Sequence, residues 1–406
     1  MTTDTGRAAE RARLRLLQLT ALTSSCDRFA LPPMLVVIGL DLGEPLVAVV
    51  AVASAYFLAY GLMQPVWGLV SDRIGRVRVM RVSLLGAALA GVVSALSPNL
   101  LVLGVSRTVS AGCVAALVPA TLVYVGDMWE VRVRQRPLAE VLTASSLGIA
   151  VATAGAGVLA QVIGWRAVPA LTGIGAAALW VALRRLPEPE REPTTGSPLQ
   201  SITTVLRHRW ALVVLVLVLV EGMVVLGVVT YLAPAVQALG SSAAVGGLVA
   251  ASYGAGAVVF SRLVRVLVGR LSAAGLATVG AVMLAAGWAL PAATVSIATV
   301  TAAGVLLGGS WAFLHTTLQS WSTEVVAGER ATMVALFAAL LFLGAAVGTA
   351  VLAPLADTGA FEEAFRVALA VAVPLAVAAV LARRRYGDRG DDRGRDPEGV
   401  DPAPGT

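Results

Sequence analysis

The stretch Gly68-Leu-Val-Ser-Asp72-Arg73-Ile-Gly75-Arg76-Val-Arg78 decides the fold, because this dense cluster of charge lies between two long apolar segments. A bilayer core of about 30 Å requires roughly 20 apolar residues in a helix. The segments near 46–67 and 80–97 are each long enough to cross it. The charged stretch must then lie outside the hydrocarbon, so it predicts a tight loop at a membrane surface, with glycines that let helix ends approach closely.

The composition excludes a soluble protein. Of 406 residues, 58% are hydrophobic and 13% are charged, and the mean hydropathy is +0.84. Such a chain has too little polar surface to cover a soluble domain. Hydropathy predicts an all-α membrane protein with twelve helices, at 16–39, 46–69, 79–97, 100–126, 139–163, 167–186, 210–236, 243–266, 272–291, 295–322, 331–354 and 362–383.

The distribution of basic residues predicts the orientation of the chain. All thirty basic residues are arginines, and the formal net charge is +6. With a cytoplasmic N-terminus, every arginine except Arg28, Arg107, Arg166 and Arg366 lies on the cytoplasmic side or at its helix ends. This asymmetry predicts that both termini are cytoplasmic. It also accounts for the basic net charge without a nucleic-acid partner.

The N-terminal segment could be mistaken for a signal peptide. Arginines between Arg7 and Arg15 precede an apolar run, but that run contains Asp27 and continues for a full span. We therefore interpret it as a retained first helix. The two cysteines, Cys26 and Cys113, fall within predicted helices and predict neither a disulfide framework nor a metal site.

The chain divides into two similar halves. We predict an N-terminal six-helix bundle at 1–186, a polar cytoplasmic linker at 187–209, a C-terminal bundle at 210–385, and a disordered cytoplasmic tail at 386–406.

The second half is a copy of the first. An offset of 194 residues places Gly269-Arg270 on Gly75-Arg76, and places Glu221 of helix 7 on Asp27 of helix 1. Both acids are predicted near the membrane midplane. Repeated halves with a binding site between them are typical of secondary transporters.

Several motifs carry a resemblance to a known family. The pattern G-x-x-x-D-R-x-G-R from Gly68 to Arg76 resembles the loop between helices 2 and 3 of the major facilitator superfamily. Arg107-Thr-Val-Ser-Ala-Gly is similar to that family's helix 4 signature Arg-x-x-Gln-Gly, with Ser110 and Ala111 at the last two positions. In helix 5, Ala156 replaces the proline of the family's antiporter motif. The stretch His315–Glu324 resembles helix 10 of bacterial efflux permeases. The likeness covers about residues 15–385.

The resemblance implies that the charged loop is a conformational latch, which holds one access state and is released in the other. Asp72 is placed to cap a helix or to pair with Arg76, and Asp127 offers a second acid. The alternative is charge that only sets topology. The predicted latch comprises Gly68, Asp72, Arg73, Gly75, Arg76 and Asp127.

Two intramembrane acids are the candidates for proton coupling. A charge at the bilayer centre costs at least about 2.5 kcal/mol, so it is retained chiefly for a function or with a partner. Asp27 could carry a proton, with Arg28 or Arg107 stabilising its charged form; it could instead form a fixed ion pair between helices 1 and 4, or contact substrate. Glu221 has no basic neighbour in helix 7, so it is either a neutral, hydrogen-bonded acid or a receptor for a cationic group.

Two helix faces could line a substrate cavity. His315 has Trp311 and Gln319 four residues to either side, and the alternative for this histidine is a structural hydrogen bond. On helix 2, Tyr56, Tyr60 and Gln64 recur every fourth residue and could instead serve interhelical packing. Arg28 and Arg107 complete the set of cavity candidates.

These features favour transport over catalysis. The chain has no P-loop motif and no lysine, so it has no nucleotide-hydrolysis site of that type. We predict a proton-coupled exporter of amphipathic small molecules, such as drugs or secondary metabolites, in a bacterial cytoplasmic membrane. We expect it to act as a monomer with neither cofactor nor metal. The alternatives are uptake or exchange of a small metabolite and, from another class, a membrane enzyme or sensor.

Overall fold

A computed structural model describes residues 4–130, 132–189, 198–326 and 328–395. Twelve helices in it are long and apolar enough to cross a membrane, which confirms the predicted fold class and agrees with the predicted spans to within a few residues at most ends. In chain order these helices, α1 to α12, are Ala8–Leu42, Leu46–Ile74, Arg76–Ala95, Leu100–Met128, Gln135–Val162, Ala167–Arg185, Arg209–Ala238, Ala243–Leu267, Ala273–Ala293, Ile297–Glu324, Arg330–Asp357 and Phe361–Gly387.

Four of the described membrane helices, α1, α4, α7 and α10, are interrupted, and α4 breaks at Ala115–Ala116. Helix α1 breaks at Ala30–Leu31 and continues through the short turn Pro32–Met34, where proline cannot donate a backbone hydrogen bond. Helices α7 and α10 each contain a wide π-helical turn, Met223–Gly227 and Trp311–His315. Such turns are rare and are often found at functional sites. The interruptions of α1, α7 and α10, unlike that of α4, lie within a few residues of Asp27, Glu221 or His315.

The two halves meet along two pairs of helices, α2 with α11 and α5 with α8. Small residues permit the close approach. A methyl group on Gly61 would lie 2.9 Å from the carbonyl oxygen of Ala339, and one on Gly157 would lie 2.4 Å from that of Ala243. These contacts leave no room for a side chain at either glycine, so the glycines determine how closely the halves can pack.

Hydrogen bonds join the halves at the end of the bundle that we predict to be extracellular. The backbone N–H of Val47 donates to Asp357 at 3.0 Å, and that of Ala244 donates to Gln161 at 3.1 Å. The Gln237 amide donates to the carbonyl of Pro33 at 3.1 Å. The structure is therefore closed at its predicted outer end.

Helical structure is present in parts of the predicted linker and the predicted tail. Within the linker, Pro198–Arg207 forms a helix that packs on α7 and α11 and fully buries Val205; residues 190–197 lie outside the described residues. We predicted a tail from residue 386, and the last helix in the structure continues to Arg395. Aromatic contacts of Tyr386 with Trp210 and Trp321 stabilise this extension. Residues 396–406 lie outside the described part of the chain.

The close contact at Gly157 generates a testable prediction. Replacing Gly157 with valine inserts a side chain against Ala243, so we expect the closed outer end to be destabilised and the outward-open population to rise. The readout is labelling by a membrane-impermeant maleimide of Gln237→Cys, in a background in which Cys26 and Cys113 are replaced by alanine.

The matched control is Gly155→Ala, because a methyl group at that position meets nothing within 4 Å. Faster labelling in Gly157→Val than in Gly155→Ala would support the assignment. Equal labelling in the two variants would contradict it.

Candidate substrate and proton site

Asp27 lies at the centre of a saturated hydrogen-bond cluster in the first half. Its carboxylate accepts hydrogen bonds from Arg107 at 2.8 Å, from the Tyr56 hydroxyl at 2.7 Å and from the Ser110 hydroxyl at 3.0 Å. The Arg107 guanidinium also donates to the backbone carbonyl of Asp27 at 2.7 Å. Both charged side chains are only 5% exposed. The cluster thus provides each charge with the partners that it needs in a buried site.

This geometry shows which of the two candidate arginines, Arg28 or Arg107, pairs with Asp27. Arg107 on α4 forms the ion pair with Asp27 on α1, which is the arrangement of the fixed-pair alternative. Ser110, which stands where the family signature has glutamine, is a direct donor to the same carboxylate. Arg28 instead contacts other groups.

Arg28 lies at the junction of the two halves. Its guanidinium donates to the Tyr60 hydroxyl at 3.1 Å and lies 4.8 to 5.4 Å from the ring centroids of Phe29, Tyr60 and Phe342. Phe342 belongs to α11 in the second half. Tyr60 also stacks on Tyr56, as expected for residues four apart on one helix face. Arg28 is therefore held by cation–π contacts with aromatic rings from both halves.

Glu221 and His315 form a buried pair in the second half. The Nδ1 atom of His315 lies 3.0 Å from Glu221, and the side chains are 7% and 1% exposed. Trp311 stacks on the imidazole at a centroid distance of 3.6 Å, and Phe337 lies against it at 5.5 Å. The other carboxylate oxygen, Oε1 of Glu221, is buried and has no hydrogen-bond partner among the described residues. Such an atom is rare in a folded protein and requires an explanation.

The pairing of Glu221 with His315 was missed from the sequence. Both residues were candidates, but they are 94 positions apart on different helices. The internal repeat could have predicted this pairing. In the first half α1 pairs with α4, and α7 and α10 occupy the matching places in the second half. The repeat relates α4 to α10, but Arg107 and His315 do not occupy equivalent positions along these two helices.

Two other cavity candidates lie apart from these clusters. Gln319 is exposed, one helical turn beyond His315, so it does not extend the polar face as we expected. Gln64 is half-buried on α2, and the structure shows it in none of the hydrogen bonds of either cluster.

Arg76 is the centre of the charged loop. It pairs with Asp72 at 2.5 Å and with Asp127 at 3.3 Å, and it donates to the Ser71 hydroxyl at 3.0 Å. These contacts link α2, α3 and α4 within the first half. Gly75 makes the tight turn possible through a φ of 107°.

The remaining loop positions behave differently. Gly269, the repeat equivalent of Gly75, also has a positive φ, of 89°. Gly68 does not mediate a close approach as predicted; it is exposed, and a methyl group there would meet nothing within 4 Å. Arg73 is likewise exposed. The turn is thus shared by the two halves, whereas the ion-pair network belongs to the first.

The described residues contain no cluster of three His, Cys, Asp or Glu side chains that could hold a metal ion. Cys26 and Cys113 are free thiols.

Comparison with known proteins identifies the family. A family model described as Major Facilitator Superfamily matches residues 17–349. The chain belongs to the major facilitator superfamily. Family and relatives are transporters and not enzymes.

Relatives of this superfamily member include a protein named triacylglyceride transporter from Mycolicibacterium smegmatis, 33% identical over 133 residues, which cover 32% of this chain and 24% of the relative. A probable triacylglyceride transporter from Mycobacterium leprae is 29% identical over 150 residues, covering 35% of this chain and 29% of the relative. The matches thus span about a quarter of the length of these curated relatives.

Solved structures share the fold at low sequence identity. The nucleoside transporter NupG has a TM-score of 0.76 at 13% identity, covering 91% of this chain and 99% of its own. The D-xylose-proton symporter has a TM-score of 0.74 at 15% identity, covering 91% and 96%. A bacterial homologue of the lysosomal transporter Spinster, in an inward-facing and unoccupied conformation, has a TM-score of 0.73 at 17% identity, covering 93% and 97%. These likenesses establish the fold.

The saturated cluster predicts how Asp27 contributes to stability. Asp27→Ala leaves the Arg107 charge buried without its partner, so we expect a loss of about 3 to 5 kcal/mol in the free energy of unfolding. The double variant Asp27→Ala, Arg107→Leu removes both charges and should recover most of this loss. Thermal unfolding of the purified protein, followed by size-exclusion fluorescence, measures both. A single variant as stable as the wild type would contradict the ion-pair assignment.

Proposed function

We propose that this transporter is a proton-coupled exporter of amphipathic small molecules, and that the Glu221–His315 pair is its proton site. We further propose that it works as a monomer in a bacterial cytoplasmic membrane with both termini in the cytoplasm. The observation that carries the proposal is the unpartnered, buried carboxylate oxygen of Glu221 beside a histidine.

The difference between the two acids supports this assignment. The Asp27 carboxylate accepts hydrogen bonds from three side-chain donors, and one of them is the buried guanidinium of Arg107, which has its ion-pair partner in Asp27. Glu221 has one partner, and histidine is the side chain whose charge changes most readily near neutral pH. We therefore assign the proton step to the Glu221–His315 pair, where no arginine ion pair has to be broken. Proton coupling then moves from Asp27, the leading candidate from the sequence, to Glu221.

The surroundings of the pair support an amphipathic substrate. Aromatic rings from both halves contact Arg28 or His315; these are Tyr60, Trp311, Phe337 and Phe342. Rings of this kind bind apolar groups over a large area and tolerate different shapes. We propose that a substrate binds against these rings, of which Tyr60, Phe337 and Phe342 are buried in this conformation, with Arg28 and Glu221 as its charged contacts.

Export by antiport follows if proton and substrate compete for one site. A cationic or hydrogen-bonding group of the substrate would contact the free oxygen of Glu221 in its unprotonated form. Protonation of the pair would then favour release of the substrate. The outer contacts at Gly157 would have to separate in that step.

A second candidate is a lipid substrate of the triacylglyceride type. The observation that favours it is the likeness to proteins named triacylglyceride transporters, at about 30% identity over up to 150 residues. An uncharged lipid would occupy the aromatic surface without needing Glu221 as a receptor.

The deciding experiment uses proteoliposomes with an imposed pH gradient. We expect the wild type to drive transport of ethidium, and Glu221→Gln, which mimics the protonated acid, to lose gradient-driven transport and to bind the cationic dye more weakly. Glu363→Gln, which removes an exposed acid at the predicted outer surface, is the matched control and should behave as the wild type.

The outcomes separate the candidates. If Glu221→Gln retains gradient-driven transport, the assignment of the proton site is contradicted. Transport of a fluorescent triacylglyceride, with none of ethidium, would favour the lipid alternative.

A further inference from the structure

Two arginines from different helices meet one tryptophan at the predicted cytoplasmic end of the first half. The guanidinium of Arg184 lies 4.5 Å from the Trp180 ring centroid on α6, and that of Arg81 on α3 approaches the same ring at 5.8 Å. Contacts of this kind hold a guanidinium in place through the charge distribution of the ring. We name these three residues the arginine–tryptophan site.

The two arginines of this site have no acidic partner within the described part of the chain. Neither Arg81 nor Arg184 forms an ion pair with any residue that the structure describes, and Nε of Arg81 is buried without a hydrogen-bond partner. The carboxylate of Glu188 lies at the start of α3, but it accepts hydrogen bonds from the backbone N–H groups of Val77 and Arg78 at 3.1 and 3.2 Å. Two donors in a fixed arrangement are thus left for an anion.

An apolar surface continues from the site toward the membrane centre. On α3, Leu85 follows Arg81 by one helical turn, and on α6, Val181 precedes Arg184 by nearly one turn; both are exposed. Two further exposed residues continue these apolar stripes: Leu89 lies one turn beyond Leu85 on α3, and Ile174 lies two turns beyond Val181 on α6. The helices themselves are in close contact at Gly91 and Gly173.

We propose that the arginine–tryptophan site binds the phosphate of an anionic phospholipid from the predicted cytoplasmic leaflet. The arginines would contact the headgroup, and the acyl chains would lie along the stripes that begin at Leu85 and Val181. Basic residues between membrane helices on this side are suited to anionic headgroups. The adjoining apolar stripes favour a lipid over free phosphate, which would gain nothing from them. The site is on the outside of the bundle, so the proposal is independent of the transport mechanism.

Native mass spectrometry of protein from nanodiscs containing phosphatidylglycerol and phosphatidylcholine tests the proposal. We expect the wild type to retain phosphatidylglycerol preferentially. The double variant Arg81→Gln, Arg184→Gln should bind it about 25-fold more weakly, because each arginine near an anionic lipid surface contributes roughly a fivefold factor. The matched control Arg262→Gln, Arg265→Gln removes two exposed arginines from the predicted cytoplasmic end of α8 and should leave retention unchanged.

Thermal unfolding in phosphatidylcholine alone checks that the variants are folded. If the double variant does not fold, the single variant Arg184→Gln replaces it, because the Arg184 side chain is exposed. We expect this variant to bind phosphatidylglycerol about fivefold more weakly than the wild type. Equal retention by the wild type and the arginine variant would overturn the proposal, as would equal loss in the control. Displacement of the lipid by millimolar inorganic phosphate, with no dependence on the acyl chains, would assign the site to free phosphate and also overturn it.

Discussion

The absence of water from the bilayer core is the constraint on which the rest of this structure depends, because each polar group placed there must find its partner within the protein. The Asp27–Arg107 pair meets that demand completely, with Tyr56 and Ser110 as additional donors. It ties α1 to α4 at the interruption of α1. The first half thereby gains a rigid polar centre around which its apolar helices pack.

The second half meets the same constraint incompletely. Glu221 occupies the repeat position of Asp27, yet it has a histidine in place of an arginine and retains an unpartnered oxygen. The π-helical turns of α7 and α10 adjoin this pair. The two repeat positions thus differ in their charged partners: Asp27 is paired with an arginine, and Glu221 is paired with a histidine.

The two ends of the molecule are stabilised by different interactions. At the predicted outer end, glycine contacts and hydrogen bonds between α5 and α8 hold the halves together. At the other end, the network of Arg76 links helices of the first half only. An interface built from backbone contacts at small residues can separate as a unit, because few side chains must rearrange. This arrangement suits a transporter whose two halves separate at one end of the bundle and meet at the other.

The sequence by itself determined the twelve spans, the repeat, the turn at Gly75 and the superfamily, because apolar length and local motifs are properties of neighbouring residues. It also supplied the individual intramembrane candidates, since a charge in an apolar run is conspicuous. Only the tertiary structure decided that Arg107 and not Arg28 pairs with Asp27, that His315 pairs with Glu221, and that the last helix continues to Arg395. Those outcomes depend on which faces of distant helices pack together, and helix packing is not encoded by spacing along the chain.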